Sequence, residues 1–355
     1  MTEPVLSINN LSVVLTRNGR ASRVLDAISF DAAPGEIIAL VGESGAGKST
    51  IGLALQGLLP RDSRPRATGS IRLAGVELIG AGDRVLRAAR RHHVRAISQD
   101  PMAALNPTMT IRRQMRESSG ADDALIDDWL HRTGLHDPAR IGDSLPHRLS
   151  GGQCQRVLIA MSMMAHPKLL IADEPTTALD VTTQAQILEL LRELAREQRT
   201  AILFVTHDLN VAASLADRLL VLYAGRIVES GRLREVARNP AHPHTTNLLA
   251  ARFDFDSDRT RPLPTLSTHG SAAQGTAPWP TRTISEEIAL ELSDVSKSFA
   301  TGPRRLWGER RVKPVLRSIN LSIRLGECVA LVGESGAGKS TALRIAAGLL
   351  APDTG

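Results

Sequence analysis

Aromatic side chains are scarce: one Tyr, three Trp and five Phe make up 3% of the 355 residues. Few stacking platforms remain for single-stranded nucleic acid, so no nucleic-acid partner is expected. Cysteine is nearly absent, with only Cys154 and Cys328, far apart in the chain. Two isolated thiols give neither a disulfide framework nor a zinc site, and they suit a reducing compartment. No apolar run approaches the roughly 18 residues that a membrane-spanning helix needs. The most apolar stretch, Val157 to Ala165, is cut by His166-Pro167-Lys168. Met1-Thr2-Glu3-Pro4 lacks the basic-then-apolar pattern of a secretory leader, so none is expected. The net charge of +6 rests largely on arginine and reads as a solvated surface. Hydrophobic content of 42% is ordinary for a globular chain.

Glycine is where the chemistry is concentrated. Glu36 to Val41 reads as a strand that runs into Gly42-Glu43-Ser44-Gly45-Ala46-Gly47-Lys48-Ser49-Thr50, with a helix expected over Ser49 to Gly57. This is the phosphate-binding P-loop pattern: glycines let backbone N–H groups wrap phosphates, the lysine neutralises their charge, and the first hydroxyl suits Mg²⁺. Further on, Leu149-Ser150-Gly151-Gly152-Gln153 places a hydroxyl and two glycines at the start of a helix, where backbone donors and the helix dipole favour an anion. Leu169-Leu170-Ile171-Ala172 reads as a buried parallel strand delivering Asp173 and Glu174 at its C-terminal end, the ligand edge of an α/β sheet. Ala178-Leu179-Asp180 follows.

Together these stretches resemble the Walker A, signature, Walker B and D-loop of ATP-binding cassette (ABC) ATPases. Ser98-Gln99-Asp100-Pro101-Met102 with Leu105-Asn106-Pro107 resembles the Q-loop of the dipeptide, oligopeptide and nickel importer branch. His207, after the strand pattern Ala201 to Thr206, resembles the H-loop switch, and His242-Pro243-His244-Thr245 resembles that branch's His-Pro-Tyr motif with His244 in the tyrosine's place. The resemblance implies an α/β P-loop fold: a RecA-like, mostly parallel sheet, an antiparallel β subdomain and an α-helical signature subdomain. It implies ATP and Mg²⁺ as ligands, with Ser49, Gln99 and Asp173 on the metal. Glu174 would be the general base, His207 would contact the γ-phosphate, and Gln99 would point its amide at Mg²⁺ or the attacking water. Ser150, Gly151, Gly152, Gln153 and Asp180 would meet nucleotide held by a second nucleotide-binding domain, identical or paralogous. The expected partners are integral-membrane permease subunits and, indirectly, an external solute-binding protein. The expected location is the cytoplasmic face of a bacterial inner membrane. The alternative is an ABC-type ATPase serving a soluble enzyme complex of the carbon–phosphorus-lyase kind.

The remaining stretches are less distinctive. Val5 to Ile8 and Leu11 to Leu15 read as short strands around Asn9-Asn10, with Val24 to Phe30 following a turn at Gly19 to Ser22. Arg64 to Gly69 reads as a loop and Ile71 to Leu78 as a strand pair around Gly75. Thr110 to Arg148 should be helical, with Ala124, Leu125, Trp129, Leu130 and Leu135 as its apolar stripe. A helix is expected over Gln186 to Glu197, and a closing hairpin from Val221 to Gly231.

The second half repeats the first. Ala39 to Thr50 is identical to Ala330 to Thr341, and the same offset aligns Leu25 with Leu316 and Gly57-Leu58-Leu59 with Gly348-Leu349-Leu350. Gly333, Gly338, Lys339, Ser340 and Thr341 are therefore candidate nucleotide ligands of a second P-loop. The sequence reaches Gly355 with no second Asp-Glu pair, signature or switch histidine, so the expectation is a tandem fusion whose second copy is truncated. The expected domains are 1–250, an ABC nucleotide-binding domain; 251–287, a Pro- and Ser-rich flexible linker with a random-coil span of about 30–35 Å; and 288–355, the start of the second copy. Arg304 to Arg311 is a basic insertion without a counterpart in the first half. Leu15 stands where Phe299 would stack adenine in the second copy, and Cys154 stands where the branch usually has Arg.

Overall fold

The computed structural model describes residues 3–17, 19–177, 179–250, 265–266, 272–273, 283–301, 311–333 and 336–355. Most of the linker and the basic insertion fall outside them. From the N-terminus the elements are β1 (Leu6–Arg17), β2 (Arg20–Ala32), β3 (Ile37–Val41), α1 (Lys48–Leu55), β4 (Arg66–Leu73), β5 (Val76–Glu77), α2 (Asp83–His92) and β6 (Val94–Ile97). Next come α3 (Pro101–Ala104), α4 (Ile111–Ser119), α5 (Asp123–Arg132), α6 (Pro138–Gly142), α7 (Gly151–Met163), β7 (Leu169–Asp173), α8 (Val181–Gln198), β8 (Ala201–Thr206) and α9 (Leu209–Leu215). The hairpin β9 (Arg218–Tyr223) and β10 (Arg226–Arg232) leads to α10 (Leu233–Arg238) and α11 (Pro243–Ala250). Two short strands, β11 (Thr265–Leu266) and β12 (Ala272–Ala273), pair with each other. The last elements are β13 (Ile288–Thr301), β14 (Arg311–Arg324) and α12 (Lys339–Ala346). Two compact units divide the chain: 1–179 with 183–276, and 277–355 with 180–182.

The first unit holds two sheets. One is antiparallel in the order β2-β1-β4-β5. The other runs β10-β9-β3-β8-β7-β6, parallel from β9 to β6, with β10 antiparallel at the edge. β3 and β8 are buried at every residue, which is why their sequences are unbroken apolar runs rather than alternating ones. One core, with Leu6, Ile28, Leu40, Ile51 and Ile71, lies between the two sheets. A second packs the other face of the parallel sheet against Trp129, Val157, Met163 and Leu191.

Several expectations needed correction. β1 is one strand: the Asn9-Asn10 break is a bulge, with Asn10 at φ 51 and a register shift between Ile8 and Leu11. The Ser29 hydroxyl accepts the Asn10 N–H at 2.8 Å, and the Ser12 hydroxyl accepts the Ala27 N–H at 2.9 Å. Polar side chains thus satisfy the donors that the bulges free. Arg66 to Gly69 belongs to β4 rather than to a loop, because β1 pairs with it through Val14↔Arg66 and Ser12↔Thr68. The Thr110 to Arg148 stretch is several short helices, and Gly120 at φ 74 ends α4. Its apolar stripe is Ile126, Trp129, Leu130 and Leu135, whereas Leu125 is exposed. Arg112 ties these helices together, 2.9 Å from Asp127 and 3.5 Å from Asp143. Helix α2, missed in the sequence, is so arginine-rich that only Ala89 is buried.

In the second unit β13 and β14 pair antiparallel and pack with α12 around Leu292, Val295, Leu316 and Ile345. The bulge pattern of the first unit recurs here. Asp294 sits at φ 56 with its N–H bonded to Asn320 Oδ1 at 2.9 Å, and the Ser318 N–H donates to the Ser296 hydroxyl at 3.0 Å. Residues 329–333 form no strand.

Candidate functional site

The P-loop joins the end of β3 to α1. Gly42 is pressed against the opposite strand: a Cβ there would lie 2.2 Å from the Leu222 carbonyl oxygen. Gly47, at φ 109, would place a Cβ 2.8 Å from a Leu25 methyl and 3.1 Å from the Val24 carbonyl oxygen. Both positions admit only glycine, and this fixes the loop's path. Gly225, in the β9–β10 turn, donates its N–H to the Ala46 carbonyl at 3.1 Å and accepts the Asp26 N–H at 2.8 Å, so the hairpin clamps the loop against β2.

Lys48 is buried, and its Nζ donates to the carbonyls of Gly42 at 2.8 Å and Glu43 at 2.9 Å. Burial lowers its pKa, against the opposing charges of Glu174, Asp173 and Glu43. β7 presents Asp173 and Glu174 at its C-terminal end. Burial raises the Asp173 pKa; the Ser49 hydroxyl, which donates to this carboxylate, acts in the other direction, Glu174 raises it further and Lys48 lowers it. The Glu174 N–H still bonds to the Val205 carbonyl of β8 at 2.9 Å, and its own φ of 46 then turns the chain out of the sheet.

Three side chains converge on the Glu174 carboxylate. Gln99 Nε2, beyond β6, donates to Oε2 at 3.0 Å. The Thr177 hydroxyl donates to the same oxygen at 3.2 Å. His207 Nδ1 lies 2.9 Å from Oε1. Local caps hold the first and last: Asp100 accepts N–H groups of Met102 and Ala103 to start α3, and Asp208 accepts that of Asn210 at the start of α9.

Lys48, Gln99, Asp173, Glu174 and His207 line one open cavity of about 670 Å³ with Val24, Ser44, Gly45, Gly47, Ser49 and Thr50. The sequence-expected set Lys48, Ser49, Gln99, Asp173, Glu174 and His207 is therefore brought together. Ser49, Asp173 and Gln99 supply hydroxyl, carboxylate and amide oxygens, a donor set that fits a hard divalent cation such as Mg²⁺ better than a soft metal. The raised pKa of Asp173 fits the same conclusion, because a buried carboxylate gains most from a cation. Among the described residues no group of three or more His, Cys, Asp and Glu could hold a metal alone. Mg²⁺ that shares its shell with phosphate oxygens needs no such group.

Ser150, Gly151, Gly152, Gln153 and Asp180 do not line this cavity. Ser150 caps α7 in a reciprocal capping box with Gln153, the two bonds being 3.3 and 3.0 Å. A Cβ on Gly151 would meet open space, so its backbone is accessible from outside. In the second unit, Gly333, Gly336 and Gly338 have φ values of 158, 84 and 96, against 158, 84 and 109 at Gly42, Gly45 and Gly47. Lys339 Nζ donates to the Gly333 carbonyl, as Lys48 does to Gly42. Ser340 and Thr341 lie on α12, whose start matches that of α1.

Val24, Leu222 and Gly225 were not among the sequence-expected site residues. The available signal for Val24 was the repeat, in which Val24-Leu25 matches Val315-Leu316. His244 is buried, and its ring lies 4.2 Å from that of Tyr223 and 3.9 Å from Glu43 of the P-loop.

Fold and site together define a P-loop nucleotide-binding domain with a helical signature subdomain. A family model described as ABC transporter matches residues 25–177 and 316–355. The chain belongs to the ABC transporter family. It is 38% identical over 351 residues to the peptidoglycan transport ATP-binding protein YejF of Agrobacterium fabrum, a match covering 96% of this chain and 60% of that one. The chain thus spans about three fifths of that relative. It is 41% identical over 271 residues to the dipeptide transport ATP-binding protein DppD of Bacillus subtilis, covering 74% of this chain and 81% of that one. Among solved structures it resembles the dimeric ATP-binding cassette MJ0796 in a post-hydrolysis state with ADP and Pi, at TM-score 0.56 and 26% identity over 64% of this chain and 99% of that one.

Proposed function

We propose that this chain binds Mg²⁺-ATP and hydrolyses it to power import of peptides or related small solutes. The observation that carries the proposal is the convergence of Gln99 and His207 on Glu174 in the cavity that also holds Lys48, Ser49 and Asp173. The P-loop backbone and Lys48 bind the phosphates, with Lys48 exchanging its bonds to the Gly42 and Glu43 carbonyls for phosphate oxygens. Ser49, Asp173 and Gln99 would hold Mg²⁺, which when bound neutralises phosphate charge. Glu174 accepts the proton of the attacking water, and His207 and Gln99 orient its carboxylate.

Ser150 to Gln153 lie outside this cavity, so the site is completed by a second nucleotide-binding domain, of the same or a paralogous chain. Ser150 and Gly152 of one would then meet the phosphates held by Lys48 of the other. The names of the two relatives support transport as the role. The partners in that role are membrane permease subunits, with an external solute-binding protein upstream. Among the described residues no helix is long and apolar enough to cross a membrane. The proposed transport role carries a peripheral position on the cytoplasmic face of a bacterial inner membrane. Residues 1–250 serve as the catalytic domain, 251–287 as a linker and 288–355 as the start of a second domain of the same kind.

The test is affinity capture of the native chain from detergent-solubilised membranes, with the captured proteins identified by mass. Two integral-membrane proteins are the expected partners. Recovery of soluble enzymes alone overturns the transport role.

A further inference from the structure

We infer that Thr177 is a positioning residue for the Glu174 carboxylate during ATP hydrolysis. The inference rests on the role proposed above for Glu174. Of the three donors to that carboxylate, Gln99 and His207 come from other elements, 75 and 33 residues away in sequence. Both also line the nucleotide cavity, so phosphate oxygens, a metal ion or water will compete for them when nucleotide enters. Thr177 is different. It sits on the turn that Glu174 itself begins, and its hydroxyl donates to Oε2 at 3.2 Å.

That turn is fixed by the chain. The Thr177 N–H donates to the Glu174 carbonyl at 3.1 Å, and Pro175 restricts the backbone between them. The Thr177 bond therefore needs no agreement between distant elements and persists when the other two donors are drawn to ligand. Glu174 also sits at φ 46, off the strand direction, so its side chain takes its aim from this turn rather than from β7. A carboxylate that must meet one water gains rate from being held in one rotamer. Threonine and serine can supply this donor; valine, with the same shape, cannot.

The experiment compares steady-state ATP hydrolysis by the full chain and its Thr177→Val, Thr177→Ser and Glu174→Gln variants. Thr177 is exposed, so none of its variants removes core packing, and thermal unfolding checks that each folds. The expected result is a roughly tenfold lower kcat for Thr177→Val, the scale of one hydrogen bond to a charged group, with KM for ATP within about twofold. Thr177→Ser should restore kcat, which a loss due only to turn shape would not do. Equal kcat for Thr177→Val and the unaltered chain, with Glu174→Gln inactive, overturns the Thr177 role alone. So does failure of Thr177→Ser to recover kcat. Full activity in Glu174→Gln, or none in the unaltered chain, overturns the underlying role of Glu174 and this inference with it.

Discussion

His207 Nδ1 stands 2.9 Å from Oε1 of Glu174, joining the loop after β8 to the end of β7. The contact uses one ring nitrogen and leaves Nε2 as the ring's other hydrogen-bonding atom. The two residues reach each other because β7 and β8 are adjacent parallel strands in register Asp173↔Val205, which brings their C-terminal ends to one edge. Gln99 arrives at that edge from β6, the next strand of the sheet.

The first prediction concerns this pair. Glu174→Gln keeps the size of the side chain but turns one accepting oxygen into a donating NH2 and cannot take a proton. Turnover should fall by ~10²–10⁴ while ATP binding persists. His207→Ala should lower turnover by about 10²-fold with binding retained, because it removes an orienting group and not the P-loop. Single-turnover hydrolysis alongside binding of a fluorescent ATP analogue separates the two effects. Unchanged turnover in Glu174→Gln would remove it from its role.

A second prediction concerns Gly42. A methyl group there meets the Leu222 carbonyl at 2.2 Å, a backbone atom that cannot swing aside. Gly42→Ala should cost about 1–3 kcal/mol of stability. It should also weaken ATP binding, since any relief moves the loop that cradles phosphate. Chemical denaturation and nucleotide titration measure the two effects; a variant with unaltered nucleotide affinity would show that the loop shifts freely.

How far the sequence can be read is bounded by the repeated segment. Ala39 to Val41 and Ala330 to Val332 are the same three residues, yet the first set is strand and the second is not. Leu40 and Val41 are 0% and 1% exposed between β8 and β9; Leu331 and Val332 are 45% and 88% exposed. A parallel strand is made by its neighbours, and local sequence carries only its suitability. Gly333, Gly336 and Gly338 have nearly the φ values of Gly42, Gly45 and Gly47, and the helix after them recurs, because glycines and short-range bonds determine them. The same contrast explains the rest. Walker A, the Asp173-Glu174 pair, Gln99 and His207 were legible because their residue types are chemically required. The Gly225 clamp was not, because only the folded hairpin brings it to Ala46. The length of β1 was hidden too: its Asn pair looks like a break until Ser29 and Ser12 supply partners for the bulges.

A third prediction uses the two thiols. Cys154 is 0% exposed on α7, and burial raises its pKa, so little thiolate is present near neutral pH and little reagent can reach it. Cys328 is exposed. A maleimide or disulfide reagent at pH 7–8 should label Cys328 quickly, and Cys328→Ser should abolish the fast phase. Labelling of Cys154 should need denaturant. Rapid modification of Cys154 in the native Cys328→Ser chain would mean that α7 does not pack as described against Met102, whose sulfur lies 3.4 Å from that of Cys154.

The last prediction concerns pH and His244. Its ring is 4% exposed, stacked on Tyr223, with Glu43 3.9 Å from Nδ1 and His242 beside it. Burial depresses the His244 pKa below its ordinary 6.5, Glu43 opposes this and His242 adds to it. A group whose folded pKa is depressed binds fewer protons folded than unfolded. Its contribution to stability is therefore present above about 6.5, the unfolded value, and is lost as pH falls from there through the folded pKa. Protonation would put charge into a buried site that offers Nε2 no hydrogen-bond partner. His244→Tyr keeps an aromatic ring against Tyr223 and removes the titration in this range. Between pH 7.5 and 5.5 the melting temperature should fall less in the variant than in the unaltered chain. Identical pH dependence in the two chains would show that His244 takes up its proton without disturbing its contact with the P-loop.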